Sequence, residues 1–192
     1  MPRDGGQWPC TSETADQIYS QKVVGKGEDP EQRSLQPAQS LPAKAPSIVT
    51  LLGERGAEVR IEVFGREHPG YDDHWDGNWL MSRVGVHAGG FRGQFRPSLR
   101  AEDFVRFRDG VRVCMTDLRG AFVFETMEEQ LSIIARGDGL GHFRAECRAQ
   151  DEAGTGNELT FTIDLDQTYL APLALQLDNL LKAYPVVGHR NK

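Results

Sequence analysis

Residues 158–184, ELTFTIDLDQTYLAPLALQLDNLLKAY, change the spacing of their apolar side chains halfway along. Apolar and polar residues first alternate, as in a strand with one buried face. Leucines then recur at steps of three and four residues, as on a helix with one apolar side. The inward side chains are Leu159, Phe161, Ile163 and Leu165 on the strand, and Leu170, Leu173, Leu177, Leu180 and Tyr184 on the helix. The stretch therefore predicts a strand followed by a helix that covers the sheet.

The residues around the predicted helix, 167–184, support these bounds. Asp166 and Thr168 can accept hydrogen bonds from the free amide groups of a first turn. Pro172 is acceptable because the first turn has no intrahelical amide bond to lose. Pro185 follows the last apolar residue of the stripe and ends the helix.

More strands are predicted upstream from short segments separated by turn-forming residues. They comprise residues 48–52, 57–63, 79–88, 91–99, 121–127, 131–136 and 142–149. Gly89 and Gly90 tolerate the backbone angles of a tight hairpin turn. In the strand after this turn, Phe91, Phe95 and Leu99 are predicted to point inward, and Arg92, Gln94 and Arg96 outward. In residues 142–149, the predicted inward side chains are Phe143, Ala145, Cys147 and Ala149.

A mid-chain helix is predicted between Leu99 and Leu118. Its apolar stripe consists of Phe104, Phe107, Val111, Cys114 and Leu118. Gly110 weakens its centre by about 1 kcal/mol relative to alanine, so a kink or break is possible there. The predicted fold class is α+β: an antiparallel meandering β-sheet covered by the C-terminal helix and the mid-chain helix, behind a disordered N-terminal tail.

The composition changes close to Ser47. Before it lie six of the ten prolines, among Ser, Gln, Gly, Glu and Lys and with no sustained apolar period: Pro2, Pro9, Pro30, Pro37, Pro42 and Pro46. A chain of 192 residues is within the usual range of one domain. We therefore predict a disordered tail or linker over residues 1–46, a single α+β domain over 47–188 and a short tail over 189–192.

The charge and the cysteines limit the classes of partner and compartment. The net charge is −6, which repels nucleic acid and anionic membranes and favours a basic protein partner. Cys10, Cys114 and Cys147 form neither a CxxC pair nor a Cys/His cluster, so a disulfide scaffold or zinc site is not expected. With no secretion signal and no apolar run long enough to span a membrane, the chain is predicted to be cytoplasmic.

The densest polar and aromatic segment is residues 68–79, HPGYDDHWDGNW. Asp72, Asp73 and Asp76 could bind a hard cation or act as acid–base groups, but their spacing matches neither a calcium loop nor a zinc motif. A second interpretation is a turn in which Asp and Asn side chains bond the local backbone. A third is a binding surface, since tyrosine and tryptophan anchor interfaces.

Four segments together resemble the WapI family of bacterial immunity proteins. They are YDDHWDGNWL at 71–80, residues 90–107, GDGLGH at 137–142 and GNELTFTIDLDQTYL at 156–170. The likeness spans about residues 49–188. The resemblance implies a small cytosolic antidote that binds and blocks the toxic C-terminal domain of a contact-dependent toxin. In WapA-like systems that domain is an RNase acting on tRNA.

The leading hypothesis is an immunity protein that neutralises a toxin, a nuclease in the favoured case, by steric and electrostatic occlusion. It predicts no enzyme activity, no cofactor or metal, and no contact with nucleic acid or membrane. The candidate toxin-binding residues are Tyr71, Asp72, Asp73, Trp75, Asp76 and Trp79. Two alternatives stay open: a metal-dependent enzyme using Asp72, Asp73 and Asp76, and an interaction domain of a larger assembly.

Overall fold

The structure is a computed structural model that describes residues 45–188. Most of the predicted N-terminal tail, with Cys10, and the whole predicted C-terminal tail lie outside the described residues. Within the described range, no helix is long and apolar enough to cross a membrane.

The first sheet contains five antiparallel strands from the first half of the domain. They are β1 (Ser47–Leu52), β2 (Glu58–Arg66), β3 (Trp79–Ala88), β4 (Phe91–Phe95) and β5 (Ser98–Arg100). Strands β1 to β4 are neighbours in chain order, and β5 pairs with the first residues of β3 beyond the end of β4. Each of the strands β1 to β4 is connected to its neighbour, so this part of the sheet is a meander.

The second sheet contains the four remaining described strands, again as an antiparallel meander. They are β6 (Ala121–Glu125), β7 (Leu131–Gly137), β8 (His142–Gln150) and β9 (Glu158–Asp166). Helix α1 (Ala101–Cys114) connects the two sheets, and helix α2 (Leu170–Ala183) follows β9 through a single 3-10 turn.

The apolar faces of both sheets and both helices form one continuous core. Helix α1 packs beside β6, and α2 packs against α1 and β1. Aromatic rings fill the space between α1 and the second sheet. The ring centroid of Phe107 lies 5.8 Å from that of Phe122 and 5.1 Å from that of Phe124. Burying such rings provides most of the driving force that holds a helix on a sheet.

The predicted α+β class is confirmed, and the strands divide between two sheets. Both helices lie where their apolar stripes predict, with shorter bounds. Asp166 caps the turn before α2, since its Oδ1 accepts a hydrogen bond from the amide of Thr168 at 2.9 Å. Gly110 lies within one continuous α1. A Cβ there would lie 3.0 Å from the Cβ of Phe122, so the glycine permits close packing of helix and strand.

Phe91 faces the inner side of the first sheet, as predicted, since it pairs with buried Ala88, but its side chain is 67% exposed because that side is not covered at the start of β4. The strand predicted over residues 91–99 is also interrupted at Arg96 and Pro97. The interruption arises because proline has no amide hydrogen to donate to a neighbouring strand. Phe95 is half-buried, while Leu99 is buried on the separate strand β5.

The predicted inward side chains of β8 are all buried. On β9, Ile163 and Leu165 are buried, while Leu159 and Phe161 are half-buried. The two described cysteines, Cys114 and Cys147, are buried free thiols. Burial raises the pKa of Cys147 to about 12, so this thiol stays protonated and unreactive near neutral pH.

Candidate functional site

The polar and aromatic segment forms the loop between β2 and β3, residues 67–78, and buried Asn78 fixes its end. The Nδ2 atom of Asn78 donates to the carbonyl oxygens of His74 at 3.0 Å and Val187 at 2.9 Å. Its Oδ1 atom accepts from the amide of Val187 at 2.9 Å. The side chain of Arg66 donates to the carbonyls of Gly77 and Pro185. The loop is therefore bound to the segment after α2.

Arg100 holds the centre of the same loop from the start of α1. Its side chain is nearly buried, and its Nη atoms donate to the carbonyl oxygens of Trp75 at 3.0 Å and His74 at 2.7 Å. Nη2 also donates to Oε1 of Glu102 at 2.8 Å. The guanidinium carbon lies 5.5 Å from the ring centroid of Trp75 and 5.0 Å from that of Trp79, within cation–π range. Sequence reasoning missed this residue.

Asp73 shapes the turn within the loop. Its Oδ1 accepts hydrogen bonds from the amides of Trp75 at 2.8 Å and Asp76 at 2.9 Å. These bonds, that of Asp76 first, lower the pKa of the carboxyl group. The interpretation of the segment as a turn built on Asp and Asn side chains is confirmed for Asp73 and Asn78.

The six candidate residues have different surroundings. Tyr71 and Trp75 are each 57% exposed, and the three aspartates Asp72, Asp73 and Asp76 are also exposed. Trp79 is half-buried at the start of β3 and lies against Arg100. Of the two tryptophans, Trp75 is therefore the one whose ring is mostly accessible to a partner.

The turn between β6 and β7, residues 126–130, lies beside this loop. A depression of about 270 Å³ has Trp75 in its wall together with Glu125 and Met127. A second depression, of about 380 Å³, is lined by Trp79 and Glu128 among others. Met127 is 51% exposed. The fold thus brings together two segments that are some 50 residues apart in the sequence.

We call the exposed side chains of residues 71–76 and 125–129 the acidic face. Neither range contains a lysine or an arginine. Its carboxylates are Asp72, Asp73, Asp76, Glu125, Glu128 and Glu129. The exposed apolar side chains of the two ranges are Tyr71, Trp75 and Met127. Trp75 and Met127 line one depression together with Glu125 and the exposed Arg106. Exposed aromatic side chains on a segment rich in carboxylates are suited to binding a protein surface of opposite charge.

Glu102 and Asp103 lie under this face, at the first turn of α1. Oε1 of Glu102 is 3.5 Å from Nε2 of His74, and its Oε2 is buried without a hydrogen-bond partner in the described range. Asp103 accepts from the amide of Arg100 at 3.2 Å and from Nη2 of Arg106 at 2.5 Å. Burial nevertheless raises the pKa of Asp103 to about 6.

This raised pKa makes the stability depend on pH. The folded chain binds the Asp103 proton more tightly than the unfolded chain, whose pKa is near 3.8. The contribution of Asp103 is therefore fully present below pH 4 and is lost as the pH rises to about 6. Relative to the Asp103→Asn variant, the parent should lose up to about 3 kcal/mol of unfolding free energy over this interval. Urea unfolding at a series of pH values measures the difference, and a constant difference would contradict it.

The described residues include no group of three or more His, Cys, Asp or Glu side chains that could hold a metal ion. In the loop, Oδ1 of Asp73 is already occupied by two backbone amides. The local geometry is thus that of a capped turn.

A comparison with protein families gives a match over most of the domain. The model of the immunity protein WapI-like family matches residues 50–185, which include part of β1, every later strand and both helices. The matched range also includes the whole acidic face. A search of curated proteins found no match to the chain. The chain belongs to the WapI-like family of immunity proteins.

Proposed function

We propose that this chain is a cytoplasmic immunity protein that binds the toxic domain of a cognate bacterial toxin and blocks it by occlusion, without catalysis. The family match carries the proposal. The acidic face supports it, because a toxin that acts on nucleic acid needs a basic surface to bind phosphates. An acidic antidote can cover that surface and compete with the substrate.

Within the proposed interface, the six candidate residues have two kinds of role. Tyr71 and Trp75 provide apolar contact area, and Asp72 and Asp76 face basic residues of the toxin. Asp73 and Trp79 position them, Asp73 through its bonds to the turn and Trp79 through its contact with Arg100. Met127 extends the apolar area from the neighbouring turn.

Co-expression with the product of the neighbouring gene, the proposed toxin, tests the function. We expect rescue of growth and a stable complex on a sizing column. Failure of both would sink the proposal. Calorimetric titration with calcium, magnesium, manganese and zinc tests the metal-dependent alternative. An absence of binding would remove that alternative, because only it requires a metal ion.

The exposed aspartates should act mainly on the rate of association. In the double variant Asp72→Asn/Asp76→Asn, we expect the association rate constant to fall about tenfold at low salt, because opposite charges steer the encounter. The dissociation rate should change little. Asp73 is left in place because its loss would open the turn. Stopped-flow mixing with an inactive toxin domain measures both rates.

A matched control is Glu54→Gln/Glu58→Gln, which removes the same charge near the other end of β2. It should leave the association rate within about twofold of the parent. The difference between the two double variants should disappear in high salt, where exposed charges are screened. Equal rates for both double variants at low salt would contradict the placement of the interface.

A further inference from the structure

Strand β4 is an edge of the first sheet. It pairs with β3 on one side, and no strand within residues 45–188 pairs with its other side. Four of its five residues are exposed, and Phe95 is half-buried. An open edge presents free backbone donors and acceptors on which another strand can form hydrogen bonds.

The sequence of β4, FRGQF, has the same pattern of residue types in both directions: apolar, polar, glycine, polar, apolar. Two antiparallel copies centred on Gly93 would bring Phe91 of each copy opposite Phe95 of the other. They would also bring the Arg92 guanidinium, a donor, opposite the Gln94 amide oxygen, an acceptor. The strand is thus its own complement under a two-fold rotation, which is the requirement for an isologous interface.

We propose that two copies of this chain associate through antiparallel pairing of their β4 strands, with the two-fold axis at Gly93. The first sheet of one copy and the first sheet of the other then form one continuous sheet. A partner with a different sequence would have to match both the apolar and the polar positions of β4. A second copy matches them by symmetry.

The apolar side of β4 gives the pairing its driving force. By strand register, Phe91, Gly93 and Phe95 lie on the same side of the sheet as the buried residues of β3. Behind β4 is a depression of about 240 Å³, whose apolar lining includes Val86 and Leu159. In the dimer, Phe91 of the second copy lies against Phe95 of the first. Because Gly93 has no side chain, the depression behind β4 stays open, and Phe91 of the second copy covers it. Burial of Phe91 from each copy, which is exposed in the single chain, favours the dimer.

Light scattering after size exclusion of the full chain, over a range of micromolar concentrations, tests the pairing. The parent should approach twice the chain mass of 21.4 kDa as its concentration rises. A Cβ at Gly93 would meet no atom within 4 Å in the single chain, so Gly93→Glu and Gly93→Lys should both fold. Each should be monomeric, because like charges then meet at the axis. An equimolar mixture of the two should recover the dimer.

The control is Gly65→Glu in β2, where a Cβ also meets nothing within 4 Å, and it should dimerise like the parent. A second variant, Phe91→Ser, should weaken the dimer at least about tenfold, since it removes one exposed aromatic side chain per copy. Circular dichroism confirms that each variant is folded. A parent that stays monomeric throughout, a dimer that survives both changes at Gly93, or folded variants that do not reassociate on mixing would each overturn the proposal.

Discussion

Replacing Arg100 with methionine should lower the free energy of unfolding by about 3–5 kcal/mol, as expected when one partner of a buried ion pair is removed. Methionine keeps the apolar stem but removes the donor to Glu102 and to the carbonyl of Trp75, and it leaves the carbonyl of His74 with only the bond from Asn78. Each unsatisfied buried acceptor costs about 1–3 kcal/mol. Equilibrium unfolding in urea measures the loss, and tryptophan emission should shift because Trp75 and Trp79 both contact the guanidinium.

Arg96→Met is the matched control for this substitution. Arg96 is exposed, so its variant should stay within about 0.5 kcal/mol of the parent. Arg100→Lys should recover only part of the loss, because an ammonium group cannot reproduce the planar fork that spans two carbonyls and a carboxylate. If Arg100→Met cost no more than the control, the assigned role of Arg100 as the anchor of the loop would be wrong.

Replacing Phe107 with alanine should cost about 3–5 kcal/mol, because a fully buried ring is lost and a cavity remains. The ring lies between helix α1 and strand β6, where it contacts the rings of Phe122 and Phe124. A small domain has a total stability of about 5–15 kcal/mol, so this single change removes a large fraction of it. The change in thermal midpoint and the urea midpoint both report the loss.

Val113→Ala on the same helix provides the comparison, since Val113 is mostly exposed. It should cost less than about 1 kcal/mol. If Phe107→Ala lost no more unfolding free energy than Val113→Ala, the contact between α1 and β6 would contribute little to stability.

The periodicity of apolar residues predicted which side chains face the core wherever a strand is covered on one face. This held for Phe143 and Cys147 on β8, and for Leu173 and Leu177 on α2. For Phe91 it predicted the side of the strand but not the burial, because alternation distinguishes the two sides of a strand without showing that the apolar side is covered. Nor does alternation identify the neighbouring strand, so the division into two sheets emerged only from the structure.

The location of the candidate site was predicted from composition alone, as the loop rich in aspartate and tryptophan. Two of its components were not. Arg100 acts on main-chain carbonyls some 25 residues earlier, and a main-chain atom leaves no trace in the sequence. Met127 and its acidic neighbours join the site because β6 and α1 pack together, which is a tertiary event with no local pattern.

The anchors of the loop have a consequence for how specificity can evolve. The loop is held by hydrogen bonds from the side chains of Arg66, Asn78 and Arg100 to its main-chain carbonyl groups. Every amino acid has such a carbonyl group. Exchanging an exposed residue such as Tyr71 or Asp72 therefore leaves these backbone contacts in place and changes only the side chain that the proposed interface presents. A backbone fixed in this way, with exposed side chains that can be substituted, would allow an immunity protein to change its specificity without losing its fold.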